Sequence, residues 1–138
     1  MLLVDLLKLE LAAMSVLRAR FQIERDDGLW YSGEYSSFSV GTETDNYRLS
    51  VSGFGGDAGD ALASPANSMR RSNGMAFSAP DRDNDQNHDQ CDDGITGWWF
   101  KNCARSCLNH HSTNANWNAD TDDQTHDVQF ARMLVMLD

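Results

Sequence analysis

Hydrophobic and polar residues alternate along several short stretches of the chain, which is the pattern of half-buried β-strands. The pattern occurs at residues 21–24, 35–40 and 47–51. A polar, turn-rich segment, 41–46, joins the second stretch to the third and predicts an antiparallel hairpin. The apolar run 128–137 predicts a last strand of the same sheet.

The remaining segments predict helices and loop. Residues 2–18 place leucines close to one helical stripe, with charged residues largely elsewhere, and predict an amphipathic helix. Glycines and alanines at 59–63 predict a short helix, and residues 78–107 predict a long irregular loop. The expected fold class is therefore α+β, an antiparallel β-sheet with short helices and a long loop region. We divide the chain into a helical extension, residues 1–19, and one domain, residues 20–138.

Length and charge narrow the range of functions. A chain of 138 residues suffices for one domain with its own core. The formal net charge of −10 argues against nucleic acid and anionic lipid, because both require clustered Lys and Arg. No apolar run approaches the roughly 20 residues of a membrane span, so membrane insertion is not expected. Asp5, Lys8 and Glu10 interrupt the apolar start, so no secretory signal is recognisable.

Oxygen-bearing side chains recur at alternate positions of the predicted loop; they are Asp81, Asp83, Asp85, Asn87 and Asp89. Carboxylates this close repel one another unless a cation such as calcium lies between them. The spacing also fits an EF-hand loop, but Gln86 stands where that loop needs glycine, and Cys91 follows where its helix would begin. A solvated acidic turn without an ion is the alternative to a metal site.

Three cysteines leave one unpaired whichever bridge forms. All three, with His110 or His111, could instead bind zinc, although the compact ligand spacings of common zinc modules are absent. Ser106 lies near these histidines, but no serine–histidine–acid order is supported. We therefore predict a protein that is not an enzyme.

Several blocks of sequence, in this order, resemble the fibrinogen-like domain, the C-terminal module of fibrinogen chains, ficolins, tenascins and angiopoietins. The blocks are residues 35–40, 47–51, 56–62 and 73–78, the Asp83–Asp85 pair, Cys91, Gly97-Trp98-Trp99 and Asn102-Cys103. The resemblance covers residues 20–109 and the last strand. The family's N-terminal subdomain has no counterpart in residues 1–19, and the segment between Cys103 and Trp117 is shorter than in the family.

The resemblance implies a calcium site, a disulfide and a ligand pocket. The calcium ligands would be the side chains of Asp83 and Asp85 and the backbone carbonyls of Asn87 and Asp89. The disulfide would join Cys91 to Cys103 and indicates an oxidising compartment. The peptide bond before Cys103 is often cis in the family. The pocket beside the calcium loop would be lined by Asp92, Asp93, Asn102, Cys103 and Ala104.

The function implied is that of a secreted, calcium-dependent, lectin-like module that binds acetylated glycans or similar small groups in innate immunity. Ala104 stands where many relatives have histidine, and this favours an alternative, a protein-binding adhesive or signalling domain without a small-ligand pocket. Trp98 and Trp99 could stack on a sugar or pack in the core. The partner expected is thus a glycan or a protein, with a homo-oligomer as a further possibility. A shortened chain that folds poorly is the third reading.

Overall fold

The structure, a computed structural model, describes residues 16–65, 68–87, 91, 97–104, 106–109, 115–118 and 127–137. Strands in this part of the chain are β1 (Val16–Arg25), β2 (Trp30–Val40), β3 (Leu49–Gly56), β4 (Ser106–Cys107), β5 (Asn116–Trp117) and β6 (Val128–Leu137). Four of them form an antiparallel sheet in the order β3-β2-β1-β6, and β4 pairs with β5. In these residues no helix has the length and apolar character needed to cross a membrane.

Strand β1 lies between β2 and β6 and supplies the middle of the core. Ala19, Phe21 and Ile23 are buried, as expected where apolar residues alternate with polar ones. Phe21 lies opposite Gly33 of β2 on one side and Met133 of β6 on the other. The predicted strand at 21–24 is therefore confirmed, and it extends further in both directions.

The predicted hairpin is also confirmed and consists of β2 and β3. Its connection contains a 3₁₀ turn, Glu43–Asp45, and the next two residues, Asn46 and Tyr47, have φ angles of 50° and 54°. Residues in this left-handed region cannot continue a strand. For this reason β3 begins at Leu49, two residues later than the alternation predicted.

The regular alternation of buried and exposed residues is interrupted within this hairpin. Tyr35 is buried on one side of the interruption and Phe38 on the other, an odd spacing that strict alternation does not allow. On β3 the interruption falls beside Gly53, whose φ of 69° is one that glycine adopts without strain. The shift keeps both Tyr35 and Phe38 in the core.

Irregular segments cover the inner face of the sheet and complete the core. Trp117 is fully buried against Phe21, with 5.0 Å between ring centroids. Its indole Nε1 donates to the carbonyl of Gly59 at 2.9 Å. Trp117 therefore joins the sheet, the segment after β3 and the β4–β5 pair.

The helical part of the expected α+β class is not found in the described residues. Helical geometry among them is limited to 3₁₀ residues, the turn Glu43–Asp45 and Pro65. The helix predicted at 59–63 is wrong: the segment turns there, because it buries Ala61 and Leu62 in the core. The helix predicted at 2–18 is wrong for residues 16–18, which belong to β1, and its remainder lies outside the described residues. The division of the chain after residue 19 stays a prediction.

Candidate metal and ligand site

The acidic loop is anchored to the core through Asn84. Its backbone N–H donates to Ser78 Oγ at 2.9 Å, and its side-chain Nδ2 donates to the carbonyl of Phe77 at 2.7 Å. Phe77 and Ser78 are buried, so the anchor point is fixed. The sequence prediction considered only the alternate acidic positions and missed both Asn84 and Ser78. The sequence feature that could have identified Asn84 is an asparagine placed between two aspartates.

Asp83 and Asp85, on either side of this anchor, turn their carboxylates into the same loop. Asp83 Oδ1 accepts a hydrogen bond from the backbone N–H of Asp85 at 3.0 Å. Asp85 Oδ1 accepts from the N–H of Asn87 at 2.8 Å, and its Oδ2 accepts from the N–H of Cys91 at 3.1 Å. Asp85 therefore binds the backbone N–H of Asn87, in the acidic run, and that of Cys91, the first cysteine of the disulfide.

The pKa of Asp85 is raised above its ordinary value. Desolvation by burial is the largest cause, and the adjacent Asp83 carboxylate raises the pKa further, while the N–H groups of Asn87 and Cys91 oppose the shift. No ion pair to either aspartate occurs among the described residues. The site thus holds two close negative charges that a bound cation would stabilise.

A disulfide between Cys91 and Cys103 closes the loop, with their Cα atoms 5.0 Å apart. Two backbone hydrogen bonds support it: Gln86 N–H donates to the carbonyl of Lys101 at 2.8 Å, and Lys101 N–H donates to the carbonyl of Cys103 at 2.9 Å. Asn102 is exposed at the tip of this turn. No cis peptide bond occurs in the described residues, so the bond before Cys103 is trans and the cis bond implied by the resemblance is not found.

The structure brings together part of the predicted site. Asp83, Asp85 and Asn87 lie on one loop, and Cys103 and Ala104, both half-buried, follow the exposed Asn102. Asp89, Asp92 and Asp93 lie outside the described residues. Within the part of the chain that is described, no three His, Cys, Asp or Glu side chains cluster as a metal site. The ligand assignments therefore stay predictions.

Cys107 is not part of the disulfide and is only 3% exposed. A sulfur this buried is not placed for a link to another chain. Zinc binding by the three cysteines is not supported either, because Cys91 and Cys103 are joined to each other. The histidines of that hypothesis, His110 and His111, lie outside the described residues.

Trp98 and Trp99 are 4% and 5% exposed, so neither ring is available as a sugar-stacking surface. Trp99 Nε1 donates to the carbonyl of Tyr47 at 2.8 Å, and its ring packs edge-on against Phe77 with centroids 5.3 Å apart. The tryptophan pair therefore connects the hairpin to the segment that anchors the acidic loop. Of the two roles considered from the sequence, core packing is the one observed.

Comparison with known proteins identifies the family. The family model for the C-terminal globular domain of fibrinogen beta and gamma chains matches residues 5–134. The chain belongs to this family. Membership confirms the resemblance seen in the sequence and the prediction of a non-catalytic protein. The match begins at residue 5, within the segment that the sequence prediction set apart as an extension.

Individual relatives agree with this assignment. Tenascin of Gallus gallus is 38% identical over 116 residues, which are 79% of this chain and 6% of tenascin. The fibrinogen-like globe domain of human ANGPTL6 superposes with a TM-score of 0.72 at 27% identity, covering 92% of this chain and 59% of that one. A lamprey fibrin D-dimer, solved with the peptide Gly-His-Arg-Pro-amide, shares the fold with a TM-score of 0.77 at 24% identity. The chain thus spans less than two thirds of the length of these relatives.

Proposed function

We propose that the chain is a non-catalytic, calcium-stabilised recognition module that acts outside the cell and binds a peptide or protein. The observation that carries the proposal is the placement of Asp83 and Asp85 side by side on a loop closed by the Cys91–Cys103 disulfide. The disulfide supports an extracellular location, because such bonds persist in oxidising compartments.

The residues present fit calcium. Carboxylate and carbonyl oxygens are the ligands that this cation prefers, and its flexible coordination suits an irregular loop. Asp83 and Asp85 would supply side-chain oxygens, and Asn87 and Asp89 would supply backbone carbonyls. Calcium would neutralise the repulsion between the two carboxylates when bound. The chain's own contribution is preorganisation, since Asn84 and the disulfide restrict the loop before a ligand arrives.

A peptide or protein is favoured over an acetylated glycan by the side chains at the expected pocket. Ala104 offers no imidazole donor, and the buried Trp98 and Trp99 offer no stacking surface. Asp92 and Asp93 would pair instead with a ligand ammonium, a charge-assisted contact. The peptide bound by the lamprey fibrin fragment is a precedent within the same fold.

Calcium binding is tested by thermal unfolding of the wild-type chain, Asp83→Asn and Asp26→Asn. With an affinity of roughly 0.1–1 mM, about 2 mM calcium stabilises the wild type by roughly 0.6–1.8 kcal/mol, a shift of a few degrees. Asp83→Asn keeps the oxygen that accepts from Asp85 N–H but removes the charge, so the shift should disappear. Asp26, an exposed acid in the turn between β1 and β2, serves as the matched control and should retain it. An equal calcium response in all three proteins would refute the site.

The ligand class is tested by calorimetric titration with a short peptide that has a free N-terminus and with the same peptide N-acetylated. The proposal predicts that only the free amine binds, that Asp93→Asn weakens binding, and that chelation weakens it too. Retention on an acetylated-sugar resin with elution by free acetyl compounds would instead favour the glycan-binding alternative, for which the family resemblance is the support.

A further inference from the structure

A cavity of about 210 Å³ lies at the outer face of the sheet. Gln22 of β1 alternates with the buried Phe21 and Ile23 and therefore points away from the core. It lies opposite Ser32 of β2 on one side and Arg132 of β6 on the other, so three adjacent strands contribute to the cavity. The lining residues are Gln22, Trp30, Tyr31, Ser32, Asp57 and Arg132. Pockets for drug-sized molecules measure roughly 300–1,000 Å³, so this smaller cavity suits a small ligand.

Arg132 presents an oriented positive charge to the cavity. Its Nε–H donates to Gln22 Oε1 at 2.5 Å, and its guanidinium carbon lies 5.8 Å from the centroid of the Trp30 ring. Among the described residues no carboxylate forms an ion pair with Arg132. Its terminal N–H groups therefore remain for a ligand, and the planar guanidinium matches a carboxylate through two parallel hydrogen bonds.

Asp57 presents the opposite charge to the same cavity. It directly follows β3, and its Oδ1 accepts a hydrogen bond from the backbone N–H of Ser32 at 2.7 Å. This bond orients the carboxylate and leaves its second oxygen for a ligand. Asp57 and Arg132 line one cavity but form no ion pair with each other, so a small molecule placed between them can contact both.

Trp30 supplies an apolar wall and is 52% exposed. The 5.8 Å between the guanidinium carbon of Arg132 and the ring centroid is near the roughly 6 Å limit of cation–π contacts. The guanidinium therefore lies at the margin of contact, and much of the indole remains available to an apolar or aromatic group.

We propose that this cavity binds a zwitterionic small molecule, a free α-amino acid with an aromatic or aliphatic side chain. Its carboxylate would lie against Arg132, its ammonium against Asp57 and its side chain against Trp30. Asp57 would repel a simple anion and Arg132 a simple cation, so charge favours a ligand that carries both signs. The net charge of −10 disfavours anions in general, but a zwitterion has no net charge to repel.

The cavity shares no residue with the acidic loop or the disulfide. Binding here should therefore persist when calcium is chelated, unlike binding at the candidate calcium site. Because the cavity is open and the ligand small, we expect a dissociation constant on the order of millimolar.

Saturation-transfer NMR of the 138-residue chain, in the presence of a calcium chelator, tests the ligand class with three related probes. Phenylalanine carries both charges, N-acetylphenylalanine lacks the ammonium, and phenylalaninamide lacks the carboxylate. We expect phenylalanine to bind and each derivative to bind about three- to tenfold more weakly. Absence of phenylalanine binding, or equal binding of all three probes, would overturn the proposal.

Substitutions assign each charge of the ligand to its partner. Arg132→Gln should weaken binding of phenylalanine and N-acetylphenylalanine but not of phenylalaninamide. Asp57→Asn keeps an oxygen for the Ser32 N–H and should weaken binding of phenylalanine and phenylalaninamide but not of N-acetylphenylalanine. Arg20→Gln is the matched control, because Arg20 also lies on the outer face of β1 but pairs with Glu34 outside the cavity. Equal effects of Arg132→Gln and Arg20→Gln would overturn the proposal.

Tryptophan fluorescence locates the ligand. Trp30 is half-exposed whereas Trp98, Trp99 and Trp117 are buried, so acrylamide should quench mainly Trp30. Phenylalanine should protect the wild type from quenching, and Trp30→Phe should remove the quenchable emission. Failure of phenylalanine to protect Trp30 would overturn the proposal. A wild type without quenchable emission would show that another segment of the chain covers the cavity, and would overturn it too.

Discussion

The buried hydroxyl of Tyr35 provides a sharp test of how the sheet is joined to the segment that follows it. Tyr35 is fully buried, donates to Asp60 Oδ1 at 2.7 Å and accepts from the backbone N–H of Leu62 at 3.2 Å. The same oxygen of Asp60 accepts from Ala63 N–H at 2.9 Å. Burial, followed by Asp60, raises the pKa of Tyr35 far above its ordinary value, so the hydroxyl remains a donor.

Tyr35→Phe removes this hydroxyl with little change in shape. The N–H of Leu62 then loses its bond in a buried position, and the Asp60 carboxylate loses one donor. An unsatisfied buried group costs about 1–3 kcal/mol, and bonds to charged acceptors lie toward the upper end of that range. We therefore expect the free energy of unfolding to fall by about 2–3 kcal/mol and the midpoint of thermal unfolding by roughly 5–10 °C.

Tyr31→Phe is the matched control, because Tyr31 also lies in β2 and its hydroxyl also donates to an aspartate, Asp27, at 2.8 Å. That bond is exposed, so its loss should cost less than about 1 kcal/mol. Urea unfolding with the Cys91–Cys103 disulfide intact measures both variants, and an unchanged dependence of the unfolding free energy on urea concentration shows that neither substitution alters the unfolded state. Equal destabilisation by the two substitutions would refute the reasoning from burial.

Two further predictions concern the site. Gly97→Ala should lower the free energy of unfolding in urea by about 1–3 kcal/mol, because the added Cβ would lie 2.6 Å from Phe77 Cε1. Gly55→Ala is the control and should cost little, because no atom lies within 4 Å of its added Cβ. Equal costs for the two substitutions would exclude this steric explanation. Because the pKa of Asp85 is raised in the fold, ionisation of its carboxylate should reduce the stability of the calcium-free protein as the pH rises from about 4. The calcium-induced shift in unfolding temperature should shrink as the pH is lowered from neutral toward about 4, because protons compete with calcium for Asp85. A calcium-induced shift that is independent of pH over this range would contradict the prediction.

Alternation predicted β1, β2 and β3, and the apolar run 128–137 predicted β6, because each of these strands contains enough apolar residues to give a signal. The two-residue strands β4 and β5 were not predicted, and β4 lies at the end of the segment expected to be irregular loop. Alternation placed the start of β3 too early because the left-handed turn at Asn46 and Tyr47 has no hydrophobic signal. The glycines and alanines at 59–63 wrongly predicted a helix, because the contacts that shape this segment come from residues remote in sequence: Leu62 N–H donates to Tyr35 of β2, and Trp117 donates to the carbonyl of Gly59.

For the candidate site too, the sequence identified local features but not the remote residues that hold them in place. The order of acids and cysteines identified Asp83, Asp85, Cys91 and Cys103, which are local features of the chain. The groups that hold them in place could not be identified in this way. Asn84 matters because Phe77 and Ser78 are buried beside it, and those residues are buried by packing against Trp98 and Trp99.

The candidate calcium ligands are close together in the sequence, whereas the groups that hold their loop in place are remote from it. This difference limits how much of the structure should respond to calcium. The loop is fixed at Asn84, at the Gln86–Lys101 hydrogen bond and at the disulfide, and Trp99 ties it to the hairpin through Tyr47. These anchors need no metal, so its removal should loosen the acidic run between them while the sheet keeps its structure. A calcium effect confined to that run is therefore consistent with the fold, whereas loss of the whole sheet on chelation would show that the anchors are weaker than their burial and hydrogen bonds indicate.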